Sequence, residues 1–429
     1  MPISLLLSAL LAVQEPQVQP PVATENPTPV RQAAPFSTPF VVAEPARLAL
    51  TPKIDGKLEE EEWDPIIGEA GMKGFFQWEP RKLHVAATVP SGHDLILSLD
   101  LKSNGWLVGA DNLEIRVGTK DGVNRVMGRL VDATQVAGPQ WVELPGIGMA
   151  AVVASSTGEA GTTYEVTLND PNLGLLPRDP DSKLSLRMDS VPSEAAAIEP
   201  YIPRVMTPVT LAFQRAAALA PALRWKTEGA GVAVMPGDSV RLRETFNGTD
   251  KLGIQRLSLR TEGFARRATN ELTVPFPGFD NKGRAFVDYG TRVQPEAELG
   301  YRILRGELTS SDGVTALLQT SYRIAPVVDF DLVRERFTTS DQPKTVRLTY
   351  FLRSNSPRRV DGTITLLPPD NFRVVSGNDK GFIISSPRGG VRRVFELEIP
   401  AGTKGVIPIL VRTEIGGKSK DETIYLNVE

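Results

Sequence analysis

The run Asp94–Leu101 (DLILSLDL) places leucine at every second position. That period of two marks a strand with one buried face, because successive side chains on a strand point to opposite sides. Asn112–Val117 (NLEIRV), Thr162–Leu168 (TTYEVTL), Lys183–Met188 (KLSLRM) and Pro208–Phe213 (PVTLAF) alternate in the same way. Turn-forming residues part them: Ser103-Asn104-Gly105, Asp121-Gly122, Pro145-Gly146 and Asp179-Pro180-Asp181. Short strands at this spacing predict an antiparallel β-sandwich.

The second half repeats the pattern. Strands are predicted at Ser239–Glu244, Gly253–Leu259, Ala285–Val287, Tyr301–Arg305 and Ala316–Ile324, then at Thr345–Leu352, Gly362–Leu367, Arg393–Ile399, Val406–Arg412 and Thr423–Val428. They divide into two units of immunoglobulin-like size joined near Val327–Asp329. Only Ala216–Leu223 reads as helical, a short connector limited by Pro221. Gly (37) and Pro (35) exceed their usual combined share of roughly 12%, which fits an all-β, turn-rich chain.

Residues 1–13 (MPISLLLSALLAV) form an apolar run too short to span a bilayer, as in a secretory signal. In residues 14–45 eight of 32 residues are proline, the composition of an extended linker. The folded chain then divides into 46–212, 213–326 and 327–429. Residues 46–212 hold 15 Lys+Arg against 23 Asp+Glu, and residues 213–429 hold 32 against 25. The acidic half suits a neutral ligand or a cation, and the basic half an anionic surface. A net charge of −3 predicts no nucleic-acid partner, and no later apolar stretch predicts a membrane span.

The absence of cysteine excludes disulfides and thiolate chemistry, and two histidines exclude a three-histidine zinc site. No sequence pattern nominates a carboxylate pair for glycoside hydrolysis. Gly416-Gly417-Lys418-Ser419 imitates a phosphate loop but lacks its first glycine, and reads as a hairpin turn. Haem ligation by His84 or His93 with Met72, Met127 or Met149 is an alternative, against the plainer reading of surface histidines. Glu59–Glu62 read as a solvated turn, and Trp63, Phe75, Phe76 and Trp78 as core aromatics. Trp141 is a weak ligand candidate in a Gly/Pro-rich loop. Asp170, Asp179 and Asp181 could offer oxygens to Ca²⁺, but without EF-hand spacing they read as a polar loop.

Four segments occur in a set order: Ile54-Asp55-Gly56-Lys57-Leu58 through Trp63, then Asp94–Asp100, then Gly105-Trp106 with Asp111–Ile115, then Gly161–Asp170 with Leu173-Gly174-Leu175. In that order they resemble family 9 carbohydrate-binding modules over about residues 46–212. The resemblance implies a two-sheet sandwich that binds poly- or oligosaccharide without catalysis, between two aromatic side chains. Trp106 stands at the first aromatic position and Tyr201, a tyrosine in place of tryptophan, at the second. Asn104, beside Trp106, would supply a polar partner. Some members hold structural calcium, and no other cofactor is implied. The Trp106–Asp111 gap is longer than the family's usual form. That gap and Tyr201 fit an alternative, a scaffolding cell-envelope protein whose sandwich no longer binds sugar and whose partner is another envelope protein. The stretch Gly362–Glu429 is similar to the immunoglobulin-like domains that accompany some bacterial alpha-galactosidases. The expectation is a bacterial, non-enzymatic protein, secreted, periplasmic or at the cell surface.

Overall fold

The computed structural model describes residues 46–428, apart from 60–61, 68–71, 145, 170–175, 177–178, 196–197, 218–221, 262–269, 314, 334–336, 339, 379 and 386–388. The signal and linker readings, Glu60, Glu61, Asp170 and Leu173-Gly174-Leu175 lie outside the described residues.

The described chain is all-β, built of β-sandwiches with mainly antiparallel, immunoglobulin-like pairing. Every alternating segment named above lies on a strand to within one residue at its ends. The first sandwich contains β1 (Ala46–Leu48), β2 (Pro65–Ile67), β3 (Lys73–Glu79), β4 (Lys82–Val89), β5 (His93–Asp100), β6 (Asn112–Lys120), β7 (Val123–Asp132), β8 (Gln140–Glu143), β9 (Ala151–Gly158), β10 (Gly161–Asn169), β11 (Lys183–Pro192) and β12 (Thr207–Ala212). Seven strands pair in the order β1-β12-β11-β5-β6-β7-β8 and five in the order β2-β3-β4-β10-β9. The leucine alternation explains the layering. Leu95, Leu97 and Leu99 of β5 join Leu113, Ile115 and Val117 of β6 in a core with Leu83, Val85, Val166 and Leu168. The odd-numbered positions of β5 and β6 are thus buried between the sheets, and the even-numbered ones face outward.

A second sandwich over residues 214–324 pairs a six-stranded with a three-stranded sheet. A third over 328–428 pairs two four-stranded sheets. Each has its own core, around Phe246 and Tyr322 in one and Tyr350 and Phe395 in the other. Gly416 and Gly417 hold positive φ between strands Gly405–Ile415 and Lys418–Val428, so the phosphate-loop imitation is a two-residue hairpin.

The connector expected to be helical is different. Gln214–Ala217 is a strand on Leu317–Thr320, and residues 218–221 lie outside the described residues. Alanine is the strongest helix former, but intrinsic propensity is small beside tertiary context, and pairing at the sheet edge outweighs it here.

The sandwiches meet through specific contacts. Phe213 stacks between Trp78 and Tyr301, with centroids 5.7 and 5.9 Å away. The Tyr301 N–H donates to Thr51 Oγ1 (2.9 Å), whose hydroxyl donates to Glu79 (3.0 Å). Gly300, at φ +126°, brings its backbone so close to Thr51 that a Cβ would sit 2.8 Å from that side chain. Arg215 forms a two-pronged bond with Asp64, and Arg81 with Asp331 of the third sandwich. Arg323 and Asn355 converge on Asp329 where the second sandwich leads into the third.

Candidate binding face of the first sandwich

Most of the outward positions at the centre of the seven-stranded sheet are charged. Strand register aligns Arg187, Ser98, Glu114, Arg129 and Glu143 in one row across β11, β5, β6, β7 and β8. The next row holds Asp189, Ile96, Arg116 and Met127. A bare sheet face with these residues would be open to a ligand. It is covered instead by residues 193–195 and 198–204, between β11 and β12.

Three arginines fasten that segment. Arg116 donates to the carbonyls of Ser193 (2.7 Å) and Ala195 (3.0 Å) while its Nε holds Asp94 at 2.7 Å. Arg129 donates to Glu114 (2.9 Å) and to the Ile198 carbonyl (3.2 Å). Arg204, itself in the segment, reaches down to Ser98 and to Glu114 (2.7 Å). The Arg204 and Glu114 side chains are only 4% and 3% exposed. Two guanidinium groups on one buried carboxylate supply the compensation that a buried charge needs.

Both tryptophans of this region serve the same segment. Trp106 Nε1 donates to the Pro200 carbonyl and Trp141 Nε1 to the Ile198 carbonyl, each at 2.9 Å. Their rings meet edge to face at 6.3 Å. The Arg204 guanidinium covers a face of Trp106 at 4.4 Å, and that of Arg129 a face of Trp141 at 4.0 Å. Beside them remains a cleft of about 140 Å³ lined by Ile96, Glu114, Arg116, Met127, Arg129 and Ile198 among others.

Trp106 is therefore half-buried and hydrogen-bonded, beside the residue that precedes Tyr201. Tyr201 is 61% exposed, and Trp106's ring contact is with Trp141. Asn104 is exposed in a turn organised by Asp100, which accepts the N–H groups of Asn104 (3.3 Å) and Gly105 (2.8 Å). Trp141, a weak ligand candidate in the sequence, lies on β8 rather than in a loop, and Arg204 is the residue that sequence reasoning missed. The alternation in NLEIRV does place Glu114 and Arg116 on one face. No local signal gives Arg204 as the partner of a residue 90 positions earlier.

The other motif residues also have structural roles. Gly56, at φ +84°, donates its N–H to Glu165 at 2.6 Å, and Asp55 does so at 2.8 Å. Burial raises the Glu165 carboxyl above its ordinary range, and these two bonds offset only part of that rise. Trp63 is buried, as expected. His84 is a correction: it is a buried residue of β4, bonded through Nδ1 to Thr167 (2.8 Å) and 3.3 Å from Glu79 through Nε2. The neighbouring strands β3 and β10 cover it on both sides. Among the described residues no group of three acidic or histidine side chains could hold a metal ion. No described helix is long and apolar enough to cross a membrane.

No family model matches the chain, and no curated protein matches it. Among solved structures it is similar to Escherichia coli alpha-2-macroglobulin activated by porcine elastase, at 12% identity and TM-score 0.27 over 90% of this chain and 44% of that one. A Salmonella alpha-2-macroglobulin mutant gives 9% and 0.24 over 83% and 31%. CBD12 from CALX1.2 gives 11% and 0.22 over 46% and 83%. The chain thus spans under half the length of these alpha-2-macroglobulins. Its all-β, sandwich class rests on the strand pairing described above.

Proposed function

We propose that the chain is an exported, non-catalytic scaffold of the cell envelope, in which the first sandwich has given up the sugar site that its sequence resembles. One observation carries the reading: residues 193–195 and 198–204 cover the outer sheet face, and the N–H groups of Trp106 and Trp141 are committed to them. A sugar ring on the covered face of Trp106 would have to displace the Arg204 guanidinium from a buried pairing. The aromatic and ionic contacts between sandwiches suit a spacer of set geometry. Export rests on the apolar run 1–13 and the proline-rich stretch after it.

The test is retention of the full chain on neutral insoluble and soluble polysaccharides, beside Trp106→Ala. The expected result is no retention that depends on Trp106, together with a lower unfolding midpoint in the variant. Retention abolished in a Trp106→Ala protein of unchanged stability would overturn the reading.

A second reading, sugar binding at this edge, is favoured by the exposure of Tyr201 alone. An aromatic ring free on one side can stack on the C–H face of a sugar. Retention that Tyr201→Ala removes would establish it.

A further inference from the structure

The third sandwich treats its cations differently. Arg353 and Arg392 lie on strands Lys344–Ser354 and Gly390–Ile399, and Arg358 and Arg359 in the turn before Val360. Lys380 opens the edge strand Lys380–Ile384 of the other sheet. Arg353 faces Gly390, two residues before Arg392, and Val360, next to Arg359, faces Ile384; Lys380, opposite Ile364, lies further along the same strand, where Arg393 donates to the neighbouring Gly381 carbonyl at 2.6 Å. All five are exposed, and among the described residues none makes an ion pair. Three acids lie near. Asp329, the strand partner of Arg353, is held by Arg323 and Asn355; Asp331, the strand partner of Phe351, is held by Arg81; and Asp361 is an exposed carboxylate across from Ile383.

Two more features give the patch a shape. A shallow groove of about 490 Å³ runs between the sheets, lined by Lys380, Gly381, Arg392, Arg393 and Val394. Next to it Phe351, 39% exposed, is the strand partner of Arg392 and stands two positions from Arg353. An exposed ring flanked by guanidinium groups offers a stacking face and two-pronged donors together.

We propose that this patch of the third sandwich binds an anionic polysaccharide, one whose sugar rings carry carboxylate or sulfate groups. The ring of Phe351 meets the apolar face of a sugar. Arg353, Arg392, Arg358, Arg359 and Lys380 meet its anionic groups, and the groove receives the chain. A lipid surface would use the charges but not the groove. The site is separate from the first sandwich and does not depend on the reading given above.

The test uses the full chain with polyuronate, dextran sulfate and neutral dextran, each at low and raised salt. The cluster variant is Arg353→Ser/Arg358→Ser/Arg359→Ser/Arg392→Ser. A control removes four exposed cations of the second sandwich: Arg224→Ser/Lys226→Ser/Arg241→Ser/Arg256→Ser. Binding to the two anionic polymers and not to dextran is expected, weakened by salt through counterion release. The cluster variant should bind about tenfold or more weakly, with the control close to the parent. Phe351→Ala should weaken binding at unchanged salt dependence. Equal loss in both multiple variants would reduce the effect to net charge and overturn the proposal. So would preferential binding to phosphatidylglycerol vesicles or duplex DNA, or no binding to either anionic polymer. A retained Trp106-dependent signal on neutral glycans would bear on the first sandwich only.

Discussion

The first and third sandwiches both carry arginine on an outward sheet face, but they use it in opposite ways. In the first, Arg116, Arg129 and Arg204 are drawn inward, onto Asp94, Glu114 and the carbonyls of a covering segment. In the third, Arg353, Arg358, Arg359 and Arg392 stay in solvent without acidic partners among the described residues. The same side chain is structural where a buried carboxylate and carbonyls can satisfy it, and available where they are missing. A basic residue count cannot separate the two cases. The partner determines which one applies.

The comparison breaks most sharply at Glu114. Glu114→Ala leaves Arg129 and Arg204 without their shared carboxylate, and the expected loss is about 3–5 kcal/mol. Urea unfolding followed by tryptophan fluorescence would read it, since Trp106 and Trp141 report on that face. A loss below about 1 kcal/mol would mean that the face is held by something else. Trp106→Ala comes next. Its ring is half-buried, so a cost of about 2 kcal/mol is expected, under the range for a fully buried tryptophan.

Acid should sharpen a related contrast between two buried glutamates. Burial works against the charge of Glu79, but the bonds from His84 and Thr51 and the Lys82 ammonium outweigh it and hold the carboxyl far below its usual range. Its folded value lies under the unfolded one of about 4.3. The stability it contributes is present above about pH 4.3 and is lost as pH falls through the folded value. For Glu244, burial dominates and raises the carboxyl, with bonds from Thr227 and Trp225 only partly offsetting it. Here the folded state holds its proton more tightly, so stability declines as pH rises from about 4.3 through the folded value. Urea midpoints between about pH 3 and about pH 8 should therefore flatten on the acid side in Glu79→Gln and on the neutral side in Glu244→Gln. Slopes of the same sign in both would contradict the pairing described for Glu79.

The smallest effect belongs to the third sandwich. Arg353→Ser and Arg392→Ser should shift stability by no more than about 0.5 kcal/mol. A larger loss in either would show that these cations are structural too.

The class of the fold was legible because alternation is local. DLILSLDL needs no knowledge of its neighbours to be read as a half-buried strand. The covering segment was not legible, because what holds it is a set of meetings between residues far apart in sequence. Trp106 directly follows the Ser103-Asn104-Gly105 turn, yet its hydrogen bond runs to a carbonyl 94 residues away. His84 was misplaced for a similar reason. A histidine in LHVAA breaks an apolar run in the sequence, while in the structure Thr167 and Glu79 supply what its ring needs. Ala216 and Ala217 show the reverse case, a local preference overruled by pairing at a sheet edge.

The short strand β1 has a mechanical consequence. It pairs parallel with β12, the Ala49 N–H bonds to the Ala212 carbonyl, and the Leu50 N–H crosses to the carbonyl of Trp78 in the other sheet, each at 3.0 Å. Trp78 Nε1 returns a bond of 2.6 Å to Arg47. A pull along this strand from Ala46 loads those bonds in shear, so they must yield together rather than unzip in turn. The first described strand is thus a stiff grip, and Leu50→Pro, which deletes one N–H, should lower the rupture force in single-molecule pulling.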